Sequence, residues 1–286
     1  MKQLRAIFFG GIAKTPPTPC SPRGGGIAGR SRFRILREII RLPLGSTALL
    51  AGCFCAAFFA ATGSSAAEAE STEAFLARVR RAQGVATYAM LEGSVQHRRR
   101  GSDPEEHPVY FGVILQTDRI TGELVIGGDE GYLIGQSRRD GSASSVPMGS
   151  STARLDRCGI RASDLTLGFL YGKFRRELPR ETVSGVVSCR VVELESPAEG
   201  AGATVRIHIA EEAGFPLRAA FFRAGEATPF RTLEIGSFAR KNDLYYAKSL
   251  RLEGPGWRTL VTFDPDRVRL GLYDPAAPPK VIRPLR

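Results

Sequence analysis

After residue 85, apolar and polar positions alternate over short stretches. Val205, Ile207 and Ile209 alternate with Arg206 and His208, and Leu244, Tyr246, Leu250 and Leu252 oppose Ser249 and Arg251. A period of two marks strands with one dry face and one wet face. The pattern predicts strands over 85–97, 109–117, 122–126, 131–136, 173–177 and 186–195, and again over 204–209, 217–222, 232–238, 244–252 and 257–263. Turn signals separate them: Gly127-Gly128-Asp129, Gly214, Gly225, Asn242-Asp243 and Gly254-Pro255-Gly256. Most neighbours have no helix between them, which excludes a βαβ architecture and points to a mainly β, antiparallel fold with few helices.

Two stretches change period. Residues 71–81 read as a short helix with Ser71 as cap and Phe75, Leu76 and Val79 on one face. Residues 163–171 read as a second helix, capped by Ser163 or Asp164 and stacking Leu167, Leu170 and Tyr171. Between them, 137–151 reads as a long polar loop with one apolar island, Val146-Pro147-Met148. The strand at 109–117 is unusual: Val109, Phe111, Val113 and Leu115 lie on one side, Tyr110 and Ile114 on the other. Such a strand needs cover on both faces or an apolar cavity on one; a strongly curved sheet with helices packed in its mouth meets that need.

The first 67 residues follow another logic. Arg30, Arg32, Arg34, Arg37 and Arg41 precede an uncharged, mostly apolar run over 42–61, which Gly63, Ser64 and Ser65 break before acidic chain begins at Glu68. This is the order of an export signal, with cleavage expected after Ala67. The mature protein would then be exported and periplasmic, its folded domain being 68–286. Two membrane-anchored alternatives stay open: a retained span over 42–61, since roughly 20 residues can cross a bilayer, or a lipidated Cys53 in the lipobox Leu50-Ala51-Gly52-Cys53. A lipidated Cys53 would begin the mature chain with Phe54-Cys55-Ala56-Ala57-Phe58-Phe59, a tether that buries itself in the membrane. Residues 1–30, rich in Gly and Pro, read as a disordered extension or as translation from too early a start codon.

Charge and chemistry narrow the function. The net charge is +11, but residues 1–67 hold nine basic residues against Glu38, and the rest carries 31 basic against 28 acidic. The folded part therefore lacks a nucleic-acid footprint, and no nucleic-acid partner is expected. Gln96-His97-Arg98-Arg99-Arg100 is a strand end running into a loop and reads as a solvated charge run, with an anionic-lipid or nucleic-acid role as the alternative. His97, His107 and His208 have no ligand spacing, and no nucleophile motif or phosphate-cradling glycine loop is legible, so no metal, cofactor or catalysis is expected. Of five cysteines, Cys158 and Cys189 follow the leader. In an oxidising compartment they could pair, closing a loop of about 30 residues worth roughly 3–4 kcal/mol, or they are two unrelated buried thiols.

Three segments carry a family resemblance: Asp164–Phe174 (DLTLGFLYGKF), Gly185–Glu195 (GVVSCRVVELE), and Ala210–Phe222 (AEEAGFPLRAAFF) followed by Tyr245–Phe263. A short helix with an aspartate at its start, a glycine-led strand with a C-x-V-x-x-L core and a G-x-P-L-R turn resemble the LolA-like outer-membrane lipoprotein-sorting proteins. The resemblance spans most of 72–270. It implies an incomplete, half-open antiparallel β-barrel, here of ten or eleven strands, with helices closing its mouth. It also implies a monomeric periplasmic carrier that holds lipid acyl chains or lipoproteins and exchanges them with inner- and outer-membrane sorting partners. Lining residues expected on that basis are Phe111, Leu115, Tyr132, Phe169, Leu170, Phe221 and Tyr245. Two other classes stay open: a structural or sensory envelope module of the same fold with a filled interior, and an envelope hydrolase.

Overall fold

The computed structural model describes residues 70–82, 84–149 and 154–285. The apolar run over 42–61, Cys53, the cleavage position after Ala67 and the 67/68 domain boundary lie outside the described residues. No helix among the described residues is long and apolar enough to cross a membrane.

The alternating stretches form thirteen strands. They are β1 (Thr87–Arg99), β2 (Glu105–Leu115), β3 (Arg119–Ile126), β4 (Glu130–Ser137), β5 (Ala143–Met148), β6 (Phe174–Val183), β7 (Val187–Glu195), β8 (Thr204–Ala210), β9 (Pro216–Phe222), β10 (Arg231–Lys241), β11 (Leu244–Gly254), β12 (Trp257–Phe263) and β13 (Arg269–Leu272). All pair antiparallel in one sheet, ordered β5-β4-β3-β2-β1-β12-β11-β10-β9-β8-β7-β6, with β13 beside β1. The edges β5 and β6 do not join, so the barrel is open. Two strands exceed the sequence expectation. β5 occupies the stretch read as a polar loop; as an edge strand with nearly every residue exposed, it has no dry face to create alternation. β13 has four residues, too few to show a period. It pairs with Thr87–Met90, while β12 pairs with Gly93–Arg99. Between them Asp264 accepts a hydrogen bond from the Asp266 N–H (3.0 Å) and caps a 3-10 turn at Pro265–Arg267.

Register defines the two faces. Leu91, Phe111, Leu124 and Tyr132 stand side by side across β1–β4, and Leu233, Ala219, Ile207 and Val192 across β10–β7. The helices pack on this inner face. Helix α1 (Thr72–Ala82) buries Phe75, Leu76 and Val79, as the sequence predicted. The Arg190 guanidinium on β7 lies 4.5 Å from the Phe75 ring and pairs with Glu177 (2.7 Å). Downstream come helix α2 (Arg154–Arg157) and helix α3 (Ala162–Thr166), then a 3-10 turn at Gly168–Tyr171. The expected single helix over 163–171 is thus broken at Leu167, which adopts a left-handed backbone (φ 55°, ψ 33°) while its N–H closes α3 on Ser163 O. Such a conformation costs a non-glycine residue of order 1–3 kcal/mol, here offset by complete burial of the leucine side chain.

The outer face of β1–β4 has a different cover. Met90, Tyr110 and Val125 cluster there with Val281, and Tyr88, Ile114 and Leu285 pack against them. A segment without regular structure, 274–285, therefore crosses the sheet as a strap. The Tyr110 hydroxyl donates to Val281 O (2.5 Å), the Arg283 N–H donates to Glu123 Oε2 (2.7 Å), and the Arg283 guanidinium lies 3.7 Å from the Tyr110 ring. Burial raises the Glu123 pKa, and the Arg283 N–H and charge offset part of that rise. Gly112 has no room for more than hydrogen: a Cβ would meet Val281 O at 2.2 Å. Burying Val281 contributes about 1.5–3 kcal/mol. The second apolar face of β2 is covered by this strap.

The cysteines do not pair. Cys158 lies between α2 and α3, where its carbonyl accepts a hydrogen bond from Thr259 on β12; Cys189 is near the start of β7, five strands away in the sheet order. Both are buried thiols, and burial pushes the Cys189 thiol up to about 11. The disulfide expectation is corrected to two separate core thiols.

Candidate functional site

The inner face and the helices in its mouth form the candidate site. At its centre Arg231, at the start of β10, is 3% exposed and reaches two carboxylates. It donates to Asp164 Oδ2 (2.6 Å) and to Glu199 Oε1 (2.7 Å), and Arg161 pairs with Glu199 from the other side. Asp164 Oδ2 also accepts the Arg161 N–H (2.8 Å), so this first-turn aspartate fixes α3 to the barrel wall. Burial alone would lower the Arg231 pKa; the charges of Asp164 and Glu199 outweigh it and raise it. The Arg231 guanidinium also lies over the Phe221 ring at 4.1 Å. Removing one partner of such a buried, hydrogen-bonded pair is far more costly than the pair is stabilising. Sequence reasoning took Ser163 or Asp164 for the helix cap, whereas the cap is Arg161 and Asp164 sits in the first turn; it missed Arg231, for which an arginine opening an otherwise β-patterned strand was the available signal.

The 3-10 turn spans the gap between the open edges. On the α1 side, Arg80 donates to Leu170 O (2.8 Å) and Gly172 O (2.8 Å). On the β4 side, the Arg138 guanidinium and the Tyr171 hydroxyl interact electrostatically. On the β7 side, the Glu195 N–H donates to Lys173 O (2.8 Å). Burial lowers the pKa of Arg80 and Arg138 and raises that of Tyr171, so all three groups are withdrawn from water. Beneath this turn is a cavity of about 320 Å³. Asp140 and Ala143 line it from one edge, Gly172 and Glu195 from the other, and Phe169 and Phe221 from within. The two rings meet edge to face with centroids 5.8 Å apart.

Of the seven expected lining residues, the structure brings Phe169 and Phe221 together on this cavity. Phe111 and Leu115 are buried on the inner face of β2 against Leu91 and Leu124, and Thr87 and Ile120. Tyr132 is buried too, and its hydroxyl donates to Glu130 Oε2 (2.9 Å) and accepts the Leu155 N–H (3.4 Å), which seats α2. Leu170 is fully buried in the turn. Tyr245 is half-buried, paired in register with Arg240, whose guanidinium lies 5.7 Å from its ring. Its neighbour Tyr246 is the buried one, at 1% exposure, in phase with Leu244, Leu250 and Leu252. The other resemblance motifs have local reasons: Val191 and Leu194 are core residues of β7, and Gly214 (φ 69°) turns the chain into β9.

No family model matches the chain, and no curated protein matches it. Solved structures do. A DUF1329 family protein from Desulfovibrio piger superposes with a TM-score of 0.53 at 13% identity, over 68% of this chain and 90% of that one. A domain assigned to outer-membrane lipoprotein sorting from Vibrio parahaemolyticus gives 0.48 at 15% identity, over 68% and 90%. A LolA superfamily protein from Nitrosomonas europaea gives 0.45 at 13% identity, over 71% and 93%. At these identities the likeness is one of fold alone: the chain shares an open antiparallel β-barrel with the DUF1329 family protein.

Proposed function

We propose that the protein is a periplasmic carrier whose folded domain, 68–286, acts as a monomer and holds lipid acyl chains, free or on a lipoprotein, between partners in the inner and outer membranes. The observation that supports this reading is the cavity of about 320 Å³ under the 3-10 turn, walled by Phe169 and Phe221 and set between two unjoined sheet edges. Its size lies within the roughly 300–1,000 Å³ of ligand pockets. Each methylene moved there from water contributes about 0.8 kcal/mol, so binding needs no further chemistry. The hydrogen bonds of Arg80 to the turn would have to break for a longer chain to enter.

Native mass spectrometry of the protein taken from a membrane-free periplasmic fraction tests this. The expected result is co-purified lipid or acylated protein, together with extraction of labelled lipoprotein from vesicles. A ligand-free protein that extracts nothing sinks the carrier reading. It would favour the structural or sensory module, which the filling of most of the inner face by Phe75, Leu155 and Leu165 supports.

A further inference from the structure

A second cavity, of about 610 Å³, lies at the same mouth between the α2–α3 turn, the end of β1, the end of β9 and the β11–β12 turn. Its charged lining is one-sided: Arg99, Arg157, Arg161, Arg223 and Arg231 against Asp156. Arg161 and Arg231 are committed below it to Glu199 and Asp164. The remaining three are less bound. Among the described residues Arg99 has no carboxylate partner; it contacts His97 Nε2 (3.4 Å) and donates to the backbone O of Arg157 (3.4 Å). The closest carboxylate to Arg157 is Glu130, at 3.9 Å, and Arg223 is 3.6 Å from Glu226. Arg223 is held by the Phe230 ring, 5.0 Å from its guanidinium carbon.

Two aromatic side chains stand in the remaining wall. Trp257, which pairs with Arg99 in register, lines the cavity beside Phe230. Gly159, at φ 66°, lets the α2–α3 turn lie flat on the indole: a Cβ there would come within 2.5 Å of the ring. Several guanidinium forks around one polar hollow match the oxygens of a phosphate, which arginine grips in a planar, bidentate way. Carboxylates line the other side of Arg231, where it stacks on Phe221, a wall of the apolar cavity.

We propose that this cavity binds a phosphate group through Arg99, Arg157 and Arg223, with Trp257 and Phe230 as its apolar wall. The charge run that ends β1 thus has a ligand. The chemistry is shared by a free phosphate and by an anionic phospholipid headgroup, and the site stands independently of the acyl-chain reading.

Trp257 is the sole tryptophan of the chain, so its fluorescence reports this site. The purified protein is titrated at constant ionic strength with three probes: inorganic phosphate, dihexanoyl phosphatidylglycerol, and dihexanoylglycerol, which has the acyl chains without the phosphate. A saturable change with inorganic phosphate supports the proposal and shows that phosphate alone suffices. A change with phosphatidylglycerol only supports it with the headgroup as source. In either case Arg99→Gln with Arg223→Gln weakens binding about tenfold or more while the unfolding midpoint holds, because both side chains are exposed. An equal response to dihexanoylglycerol, no response to any probe, or an unchanged affinity in the double variant overturns it. Loss of acyl binding at Phe169 and Phe221 would leave the inorganic phosphate titration intact, so the two readings fail separately.

Discussion

The two faces of the sheet at β2 are both apolar, yet they are sealed in opposite ways. The inner face is closed by helices that carry charge into the interior: Asp164 rides on α3 to meet Arg231, and Arg80 on α1 holds the 3-10 turn. The outer face is closed by an irregular strap that brings mostly apolar side chains, Val281 and Leu285, and one arginine at its rim. The inner seal is thus polar and directional, with a cavity beside it. The outer seal is a close fit over Gly112, where Val281 O leaves no space for a Cβ, with a cavity of about 410 Å³ at its Arg283 end. An apolar residue on β2 consequently reveals burial but not what buries it.

The comparison can be broken from either side. Arg231→Met leaves Asp164 buried without its counter-charge, and Glu199 with Arg161 alone, and should cost about 3–5 kcal/mol in urea unfolding. Pairing it with Asp164→Leu should recover a substantial part, and a single variant losing under 1 kcal/mol would show that the inner seal is not built on this pair. On the outer face, Gly112→Ala should cost about 1–3 kcal/mol by pushing on Val281 O. It should also make the strap the first site of limited proteolysis; unchanged cleavage would mean the strap fits more loosely than its geometry states.

Smaller effects sharpen the contrast. Tyr110→Phe removes one hydrogen bond to Val281 O and should cost about 1 kcal/mol. His97, buried on the inner face against Thr259 (2.8 Å), has its pKa lowered from 6.5, first by burial and then by Arg99, with Glu105 acting in the opposite sense. The unfolded chain therefore binds this proton more readily than the folded one, so stability should fall as pH drops below 6.5. Thermal melts at pH 7.5 and 5.5 would show it, and His97→Asn should flatten that slope. Least of all, Tyr245→Ala should change stability by about 0.5 kcal/mol or less, whereas Tyr246→Ala should cost about 3–5 kcal/mol. Equal losses would mean that the β11 alternation has been assigned to the wrong phase.

What could be read from the sequence follows from how far each signal travels along the chain. Alternation is local, so Thr204–Ile209 and Trp257–Phe263 were placed within a residue of their observed bounds. Edge strands lack that signal because both faces of β5 meet water. The helix break at Leu167 was invisible, since leucine is an ordinary helix residue and only its packing forces the left-handed turn. Sites are harder still. Phe169 and Phe221 come together from 52 residues apart, and the Asp164–Arg231 pair joins residues 67 apart. Aromatic candidates were therefore legible as buried but not as neighbours, and the strap at 274–285, with no regular structure, carries no periodic signal at all.

The placement of β1 has a kinetic meaning. Its strand partner on one side, β2, follows within a short hairpin, but its other edge waits for β12: Gly93 pairs with Phe263, roughly 170 residues later. Closing so long a loop is entropically slow, and high contact order retards folding. Until β12 arrives, β1 presents a row of unmet N–H and C=O groups beside apolar Leu91 and Val95, the features that template pairing with another chain. The first half of the domain can zip up early as a meander, yet its inner edge stays exposed through most of the folding time, which makes this seam the place where an intermediate would aggregate.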